Sequence, residues 1–403
     1  MKEQTMERIS GLLVLVLLGV FAVCILIVLL TGAKSYARLA ERDSTAFDRR
    51  TAAQYLATKI LQSDSENAVY IGDFDADSAQ AEGDIRPISE GEMLPPGTEQ
   101  LICAIYALAE RSMEHYRATG DDDFSFAVRG LARFRVNAYR QRGSMAAVVR
   151  VVAFEIPDWR ALGMPEAMMD VAGLSHGMVL VTGTADSGKS TTLACIIDRI
   201  NRTRKAHIIT LEDPIEFLHC DRMSIVSQRE IAIDTADYLS ALRACLRQAP
   251  DVILLGEMRD YETIRTAMTA AETGHLLFAS LHTRGAADTI DRIIDTFPPE
   301  QQGQIRTQLS TVLQAVISEQ VPPSAEGGLV PAFEIMHMTP AIRSLIRENK
   351  CHQIGNAITA GASDGMMSMD QSILALYKAG RITRETALDY ADHPDVLERR
   401  LRL

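Results

Sequence analysis

A glycine-rich string between an apolar run and a helical segment constrains the fold of this chain more than any other feature. The string G-T-A-D-S-G-K-S occupies residues 183–190, after the apolar run 178–182 and before the helical segment 190–199. It matches the pattern G-x-x-x-x-G-K-[ST], in which backbone N–H groups and a helix N-terminus surround phosphate groups. Because a strand precedes the motif and a helix follows it, the sequence predicts a nucleotide-phosphate site in an α/β fold.

This phosphate-binding loop supplies the predicted nucleotide-binding residues. We expect Lys189 to place its charge on the β- and γ-phosphates of ATP, and the Ser190 hydroxyl to bind Mg²⁺. Asp186 is unusual because it introduces a carboxylate into the loop, although Asp adopts left-handed backbone angles more readily than most residues. The complete predicted set is Gly183, Thr184, Ala185, Asp186, Ser187, Gly188, Lys189, Ser190 and Thr191.

Short apolar runs alternate with helical stretches around this loop. Helical stretches at 239–247 and 261–271 lie among the apolar runs 178–182, 208–211, 252–255 and 276–281. This alternation favours a mostly parallel sheet with helices on both faces. Upstream, a helical pattern at 101–117 precedes three runs of alternating character, at 124–128, 132–138 and 146–154. That second pattern is typical of a small α+β domain with antiparallel strands.

Two acidic strings follow apolar runs, where the carboxyl ends of strands are expected. Glu257 lies in LRQAPDVILLGEMRD (246–260), directly beyond an apolar strand, and is predicted to be the Walker B carboxylate and a second Mg²⁺ ligand. The string TLEDPIEF (210–217) places Glu212 among three carboxylates within five residues. Such crowding favours a bound cation or water, and a general base for an attacking water is a natural role for one of these groups.

Two histidines and an arginine-rich ribbon complete the candidate residues. His282 follows the run 276–281 and is placed to reach a γ-phosphate, whereas His275 precedes that run. Residues seven apart on a strand are ~23 Å apart, so His275 is left as a structural residue or one at a subunit boundary. Arg133, Arg140 and Arg142 are predicted to lie on a solvated edge strand or to stabilise the nucleotide of a neighbouring subunit.

The first part of the chain is unlike the rest. Residues 12–30 are nearly all aliphatic and would span roughly 28 Å as a helix, which predicts a transmembrane helix over a signal sequence or a buried core helix. Residues 1–11 contain two Lys or Arg and residues 33–50 contain five, so the C-terminal side is expected to be cytoplasmic. Residues 35–85 are predicted to be a polar and acidic linker, and a small, poorly packed strand pair is the alternative within residues 63–85.

Composition excludes several other classes. A length of 403 residues predicts two or three domains. The net charge of −12 opposes nucleic-acid binding, which depends on Lys and Arg contacts with phosphates. The six cysteines are scattered without a C-x-x-C pair, which argues against a zinc cluster and suits a reducing compartment.

Together these strings resemble the ATPases of type II secretion and type IV pilus systems, above all the PilT family of pilus retraction ATPases. The resemblance begins near residue 86 and continues to the end of the chain. It rests on GTADSGKST (183–191), TLEDPIEF (210–217), LRQAPDVILLGEMRD (246–260) and TGHLLFASLHT (273–283), and extends to residues 124–150, AIRSLIRE (341–348) and GMMSMDQSI (365–373).

The resemblance implies a RecA-like ATPase core at 166–340, a small PAS-like α+β domain at 86–165 and a helical tail at 341–403. It implies Mg²⁺-dependent ATP hydrolysis with Glu212 as the catalytic carboxylate, Glu257 as the Walker B carboxylate and His282 as the γ-phosphate sensor. One of the three arginines would act in trans within a homo-hexamer. An inner-membrane platform protein and pilins would be the partners, at the cytoplasmic face of the inner membrane.

The sequence departs from the family pattern at two places. The phosphate loop reads TADS where the family usually has PTGS, and residues 1–85 look like a single-pass membrane protein of the pilin-associated kind. The small domain is therefore expected to be incomplete, with a fused or chimeric origin. Two other functions stay open: a pilus assembly or type II secretion ATPase, and a membrane-anchored nucleotide-binding subunit without turnover. A nucleic-acid translocase is a weaker third, since the charge opposes it.

Overall fold

The computed structural model describes residues 68–71, 95–128, 132–152 and 156–401. They divide into two compact units, the first ending at Val152 and the second beginning at Ala153. Among these residues, no helix is both long and apolar enough to cross a membrane. The predicted transmembrane segment at 12–30 lies outside the described residues.

The first unit is an α+β unit with an antiparallel sheet. Its strands are β1 (Ala68–Ile71), β2 (Asp122–Val128), β3 (Ala132–Gln141) and β4 (Ser144–Val152), and its helices are α1 (Pro95–Leu108) and α2 (Glu114–Thr119). The sheet order is β1-β4-β3-β2. Two expectations need correction. The single helix expected at 101–117 is two helices, because Glu110 adopts a left-handed backbone with φ 53° between them.

Strand β1 is the second correction, because it lies inside the segment that was predicted to be a linker, where a small strand pair was the alternative. Ala68 pairs with Arg150 and Ile71 with Ala147 in an antiparallel ladder. The short apolar run AVYI is sufficient for an edge strand once β4 offers unpaired backbone groups. Residues 68–71 therefore extend the small sheet by one strand.

The second unit contains a larger sheet between helices. Its strands are β5 (Gly177–Gly183), β6 (His207–Glu212), β7 (Ile225–Glu230), β8 (Val252–Leu255), β9 (Leu276–Leu281), β10 (Leu313–Gln320) and β11 (Ala332–His337). Its α-helices are α3 (Glu166–Met169), α4 (Lys189–Thr203), α5 (Tyr238–Cys245), α6 (Tyr261–Glu272), α7 (Ala286–Asp295), α8 (Pro299–Val312), α9 (Pro340–Arg347), α10 (Ile354–Ala360), α11 (Met369–Lys378), α12 (Arg384–Tyr390) and α13 (Pro394–Leu401).

The seven-stranded sheet has the order β11-β10-β5-β9-β8-β6-β7. All its neighbouring pairs are parallel except β10 with β11. The predicted parallel α/β sheet is therefore confirmed. Because parallel strands end at the same edge, the segments that follow β5, β6, β8 and β9 meet there.

Helices cover both faces of this sheet, as predicted. On one face, Leu180 and Leu211 pack with residues of α5 to α8. On the other face, Val181 and Ile208 pack with Ile196 of α4. Alternate residues of each strand thus enter opposite cores, and both cores are apolar, as expected for a sheet buried on both faces.

The ends of the second unit pack against the same cores. Trp159 and Leu162 pack beside the α4 core. Residues 156–165 therefore belong to this unit, whereas the predicted boundaries assigned them to the small domain. Ile342 and Ile346 of α9 enter the opposite core. The helices of the C-terminal tail are therefore part of the unit that contains the large sheet.

Candidate active site

The phosphate-binding loop joins β5 to α4 and has the backbone that its sequence requires. Gly183 has φ 153° and Gly188, the residue before α4, has φ 96°. A Cβ on Gly183 would collide with the Ser187 hydroxyl and, at 2.5 Å, with the main-chain oxygen of Glu319. Asp186 has φ 58°, the left-handed conformation that the sequence argument expected it to tolerate. The loop is thus tightly wrapped, with the N-terminus of a long helix behind it.

Lys189 is the cation of this loop, and it is buried with its stem inside the protein. Its ammonium group donates hydrogen bonds to the carbonyl oxygens of Gly183, at 3.1 Å, and Thr184. Burial lowers the pKa of Lys189 because water no longer solvates its charge. Nearby carboxylates oppose this effect; they belong to Glu319, Asp186, Glu216 and Glu257.

Glu212 ends β6 at the edge of the sheet where the phosphate loop lies. Its Oε1 accepts hydrogen bonds from the Thr210 hydroxyl at 2.5 Å and from the Gln228 amide at 3.2 Å. Burial of the carboxyl group, with help from the charge of Glu216, raises the pKa of Glu212 to about 7. A carboxyl group that titrates near neutral pH can both accept and release a proton in a reaction cycle.

Glu257 follows β8, which pairs with β6 in a register that aligns Leu255 with Leu211. The two strands stay paired beyond this point, since the Gly256 N–H donates a hydrogen bond to the Leu211 carbonyl oxygen at 2.7 Å. The Glu257 side chain is 8% exposed and forms an ion pair through Oε1 with Arg259. Its Oε2 lies 3.4 Å from His282 Nε2 and accepts no hydrogen bond. Glu257 and Glu212 are therefore neighbours at one edge.

The two histidines lie at opposite ends of β9, as the spacing predicted. His282 is beyond its carboxyl end, with half of its side chain exposed, beside Glu257. His275 is at the other end, where its Nδ1 lies 3.0 Å from the Ala270 carbonyl and 3.3 Å from the Thr273 hydroxyl. These contacts tie His275 to the end of α6, on the edge away from the phosphate loop.

The residues present fit a phosphate–Mg²⁺ group. The Ser187 hydroxyl is buried in the loop without a hydrogen-bond partner, and Glu257 Oε2 is similarly unsatisfied. A buried unsatisfied donor or acceptor is costly, and phosphate oxygens or metal-bound water would remove that cost. Ser190 is exposed in the first turn of α4. One hydroxyl and one carboxylate suit Mg²⁺, which takes few protein ligands when phosphates supply others.

The predicted trans arginines lie in the first unit, on and beside β3. Arg133 donates a hydrogen bond to the Ser125 hydroxyl at 2.8 Å. Arg140 lies over the Tyr116 ring, 5.8 Å from its centroid. Arg142 occupies the turn after β3 with φ 50°. The alternation of the strand thus sends Arg133 and Arg140 to opposite faces of the small sheet.

Sequence reasoning missed three side chains of this edge. Glu319 is the penultimate residue of β10 and is aligned with Gly183. The Tyr238 hydroxyl lies 2.9 Å from the position of a Cβ on Gly256, and Arg259 pairs with Glu257. Glu319 could have been found, because it closely follows the apolar residues 315–317, as Glu257 follows its own strand. Tyr238 had no local signal.

The parallel sheet, the phosphate loop and the carboxylates beyond it define a P-loop ATPase. The family model for type II/IV secretion system proteins matches residues 76–388, and the chain belongs to that family. The type IV pilus retraction ATPase PilT of Pseudomonas aeruginosa is 46% identical over 318 residues, which cover 78% of this chain and 91% of PilT.

Two further relatives agree with this assignment. A twitching motility protein of Neisseria gonorrhoeae is 45% identical over 306 residues, covering 76% of this chain and 81% of that protein. The crystal structure of the pilus retraction motor PilT with bound ADP matches with a TM-score of 0.70 and 47% identity, over 75% of this chain and 86% of PilT. The resemblance to the PilT family that the motifs indicated is confirmed.

Proposed function

We propose that this chain is an ATP-hydrolysing motor that powers retraction of type IV pili. One observation carries the proposal: Lys189, Glu212 and Glu257 converge at one edge of the parallel sheet, around a loop built for phosphate. The similarity to pilus retraction ATPases over most of their length supports the direction of the motor. In this proposal the second unit is a RecA-like core and the first a PAS-like domain.

The chain's own groups would bind, orient and move protons in this reaction. Backbone N–H groups of the loop and the Lys189 ammonium would bind the phosphates. Glu212 would orient the attacking water and accept its proton, since its pKa of about 7 lies near the working pH. Ser190 and Glu257 would hold Mg²⁺, and His282 would contact the γ-phosphate. Mg²⁺, when bound, neutralises charge on the phosphates.

Assembly would complete the site. We propose a homo-hexamer in which Arg133, Arg140 or Arg142 of one subunit reaches the nucleotide of the next. An arginine supplied in trans makes hydrolysis depend on the assembled ring, because a lone subunit lacks the group that stabilises charge on the transferring phosphoryl group. An inner-membrane platform protein and pilins are the proposed partners, and nucleic acid is not a proposed partner, given the net charge of −12.

We propose that residues 12–30 anchor the motor to the cytoplasmic face of the inner membrane. The support is the length of the apolar run and the excess of Lys and Arg that follows it. Removal of residues 1–34 should release the protein from washed membranes. Equal amounts in the membrane fraction with and without this segment would contradict the anchor.

ATP hydrolysis tests the central claim. The full chain should release phosphate from ATP with Mg²⁺, and Lys189→Ala should slow this by about 100-fold or more, because the loop then lacks its cation. Lys205→Ala, just beyond α4, is the matched control and should hydrolyse ATP like the unmodified chain. An unmodified chain that hydrolyses ATP no faster than Lys189→Ala would refute the motor.

The alternatives give different results. A strain without this chain should keep surface pili and lose twitching, whereas loss of pili would indicate an assembly or secretion ATPase. Asp186 favours a nucleotide-binding subunit without turnover, because its carboxylate lies in the loop near Lys189. That function predicts tight ATP binding without phosphate release.

A further inference from the structure

Glu319 is a buried carboxyl group that no motif of the chain includes. It is the penultimate residue of β10, which runs parallel to β5 with Glu319 aligned to Gly183, the first residue of the phosphate loop. The residue is 2% exposed. Its Oε2 lies 3.3 Å from the position that a Cβ on Gly188 would take, and its main-chain oxygen packs against Gly183. The phosphate loop is thus wrapped around this side chain.

The surroundings of Glu319 compensate a negative charge only in part. Its Oε1 is buried without a hydrogen-bond partner. The Lys189 ammonium, whose charge acts on Glu319, donates its hydrogen bonds instead to the carbonyl oxygens of Gly183 and Thr184. An ionised carboxylate in such a place is costly, whereas a protonated one is tolerated.

The groups that face Glu319 agree with this. Burial raises the pKa of Glu319 to about 8, and the hydrogen bond with the Thr192 hydroxyl and the charge of Lys189 only partly oppose that effect. Cys195, on the next turn of α4, stays a neutral thiol, since burial raises its pKa to about 12. On β11, Phe333 pairs with Glu319 and adds no charge.

Phosphates bound in this loop would add negative charge near Glu319, whose carboxyl group lies beside Gly188. They would also interact with the Lys189 ammonium, whose charge favours ionised Glu319. Both effects disfavour the carboxylate form and favour the neutral acid. Binding and protonation are then linked: whatever favours the proton on Glu319 also favours the phosphates.

We propose that the loop binds nucleotide phosphates with Glu319 in its protonated form, so that nucleotide binding in alkaline solution takes up a proton at this carboxyl group. Glu319 is thereby a positioning residue, which acts on the phosphates through the loop wrapped around it. The inference rests on the proposed nucleotide site and adds to it a dependence on pH.

Calorimetric titration with ADP tests the inference on the full chain. The terminal phosphate of ADP ionises at about pH 6, so the charge of the ligand changes little between pH 7 and pH 9. The unmodified chain should bind ADP about tenfold more weakly at pH 9 than at pH 7. Titrations at pH 9 in two buffers of different ionisation enthalpy should show an uptake of about one proton.

Glu319→Gln should bind ADP at pH 9 as it does at pH 7, and should take up no proton, because the amide stays neutral. Glu334→Gln is the matched control. Glu334 is also a buried carboxyl group of this sheet, but its Oε1 accepts the Ala286 N–H at 2.8 Å, away from the loop. This variant should keep the pH dependence of the unmodified chain.

ADP binding without proton uptake by the unmodified chain at pH 9 overturns the inference and leaves the proposed function standing. Full pH dependence in Glu319→Gln also overturns it. No ADP binding at any pH would refute the proposed function together with the inference. Lys189, whose pKa is lowered by burial, would keep its own proton uptake in Glu319→Gln, so a loss of uptake in that variant assigns the proton to Glu319. Glu319→Met, which also has no titratable group, gives the same test if Glu319→Gln folds poorly.

Discussion

Asp122 in the first unit and Glu319 in the second are both almost fully buried carboxyl groups, with 4% and 2% exposed. Asp122 accepts two hydrogen bonds from Arg111, at 2.8 and 3.0 Å, and one from the Tyr106 hydroxyl at 2.9 Å. Burial acts to raise the pKa of Asp122, but these hydrogen bonds outweigh it and leave the pKa lowered. Burial raises the pKa of Glu319 to about 8, because no comparable set of donors surrounds it.

The difference shows two uses of buried charge. The small unit compensates its carboxylate with its own side chains, inside an aromatic cluster that includes Tyr106 and Phe124. Such an arrangement serves the stability of the unit. The large unit keeps unsatisfied polar atoms, including Ser187 Oγ and Glu257 Oε2, at the edge of the sheet where ligand charge is proposed to lie. Perturbed and unsatisfied groups of this kind concentrate at functional sites.

The arginines on and beside β3 offer the strongest test of this difference between the units. If one of them acts in ATP hydrolysis, the small unit also contributes a charge to the reaction. If one of Arg133, Arg140 and Arg142 acts in trans, its replacement by Ala should slow ATP hydrolysis by about 1,000-fold and leave ADP affinity unchanged. Steady-state hydrolysis and nucleotide titration on the assembled protein measure both quantities.

Arg135→Ala is the control for this scan. Arg135 lies on the same strand and pairs with Asp123 at 3.4 Å on the protein surface. Its replacement should leave hydrolysis within about twofold of the unmodified chain, since exposed ion pairs contribute little. Equal activity in all four variants would show that the ribbon serves only its own sheet.

Replacement of Glu257 should give the next largest effect on ATP hydrolysis, and it tests whether this unsatisfied carboxylate of the large unit serves the reaction. Glu257→Gln keeps the shape of the side chain and removes the charge that is proposed to bind Mg²⁺, so kcat should fall by about 100-fold. Glu262→Gln on α6, which removes an exposed pair with Arg243, should be neutral. Rates as a function of Mg²⁺ concentration provide the measurement. Unchanged rates in Glu257→Gln would exclude this carboxylate from the site.

The smallest effect concerns stability and pH. Burial raises the pKa of Glu334 to about 7, so the folded state keeps a proton that the unfolded chain has already lost. Glu334 therefore contributes stability below about pH 4.5 that is lost as the pH rises to about 7. Replacing Glu334 by Gln should reduce that loss by about 1 to 3 kcal/mol.

Trp159 makes the stability of the second unit measurable, since it is the single tryptophan of the chain and packs in that unit. Urea unfolding followed by its fluorescence at pH 5 and pH 8 gives the free energy of unfolding of that unit. Asp122 should give the first unit the opposite pH dependence of stability. Because the pKa of Asp122 is lowered, the stability of that unit should fall only as the solution becomes strongly acidic. The same slope for Glu334→Gln and the unmodified chain would contradict the assignment.

Much of the fold could be predicted because its signals are local. The runs that form β5, β6, β8 and β9 are continuous in the sequence, and parallel strands buried on both faces require such runs. The loop from Gly183 to Lys189 carries its geometry in its own residues, including the left-handed Asp186. The joining of Glu212 and Glu257 at one edge also followed, since parallel strands end together.

Strand pairing over long distances could not be predicted in the same way. Thr182 and Ser318, whose hydroxyls are 2.8 Å apart, are separated by 136 residues. No local spacing specifies that β10 pairs with β5, and this pairing alone puts Glu319 under the loop. The pairing of Ala68–Ile71 with β4 could not be predicted for the same reason, since four residues form a strand only when a partner edge is present.

The sequence by itself therefore determined which residues carry the chemistry of the phosphate loop and of the two acidic strings, because adjacent residues specify them. The tertiary structure decided which buried charges are compensated and which are not. That outcome depends on the side chains that packing brings together, Arg111 and Tyr106 around Asp122 and none of comparable strength around Glu319. Burial and pairing are properties of the folded chain, and the pKa of a carboxyl group depends on both.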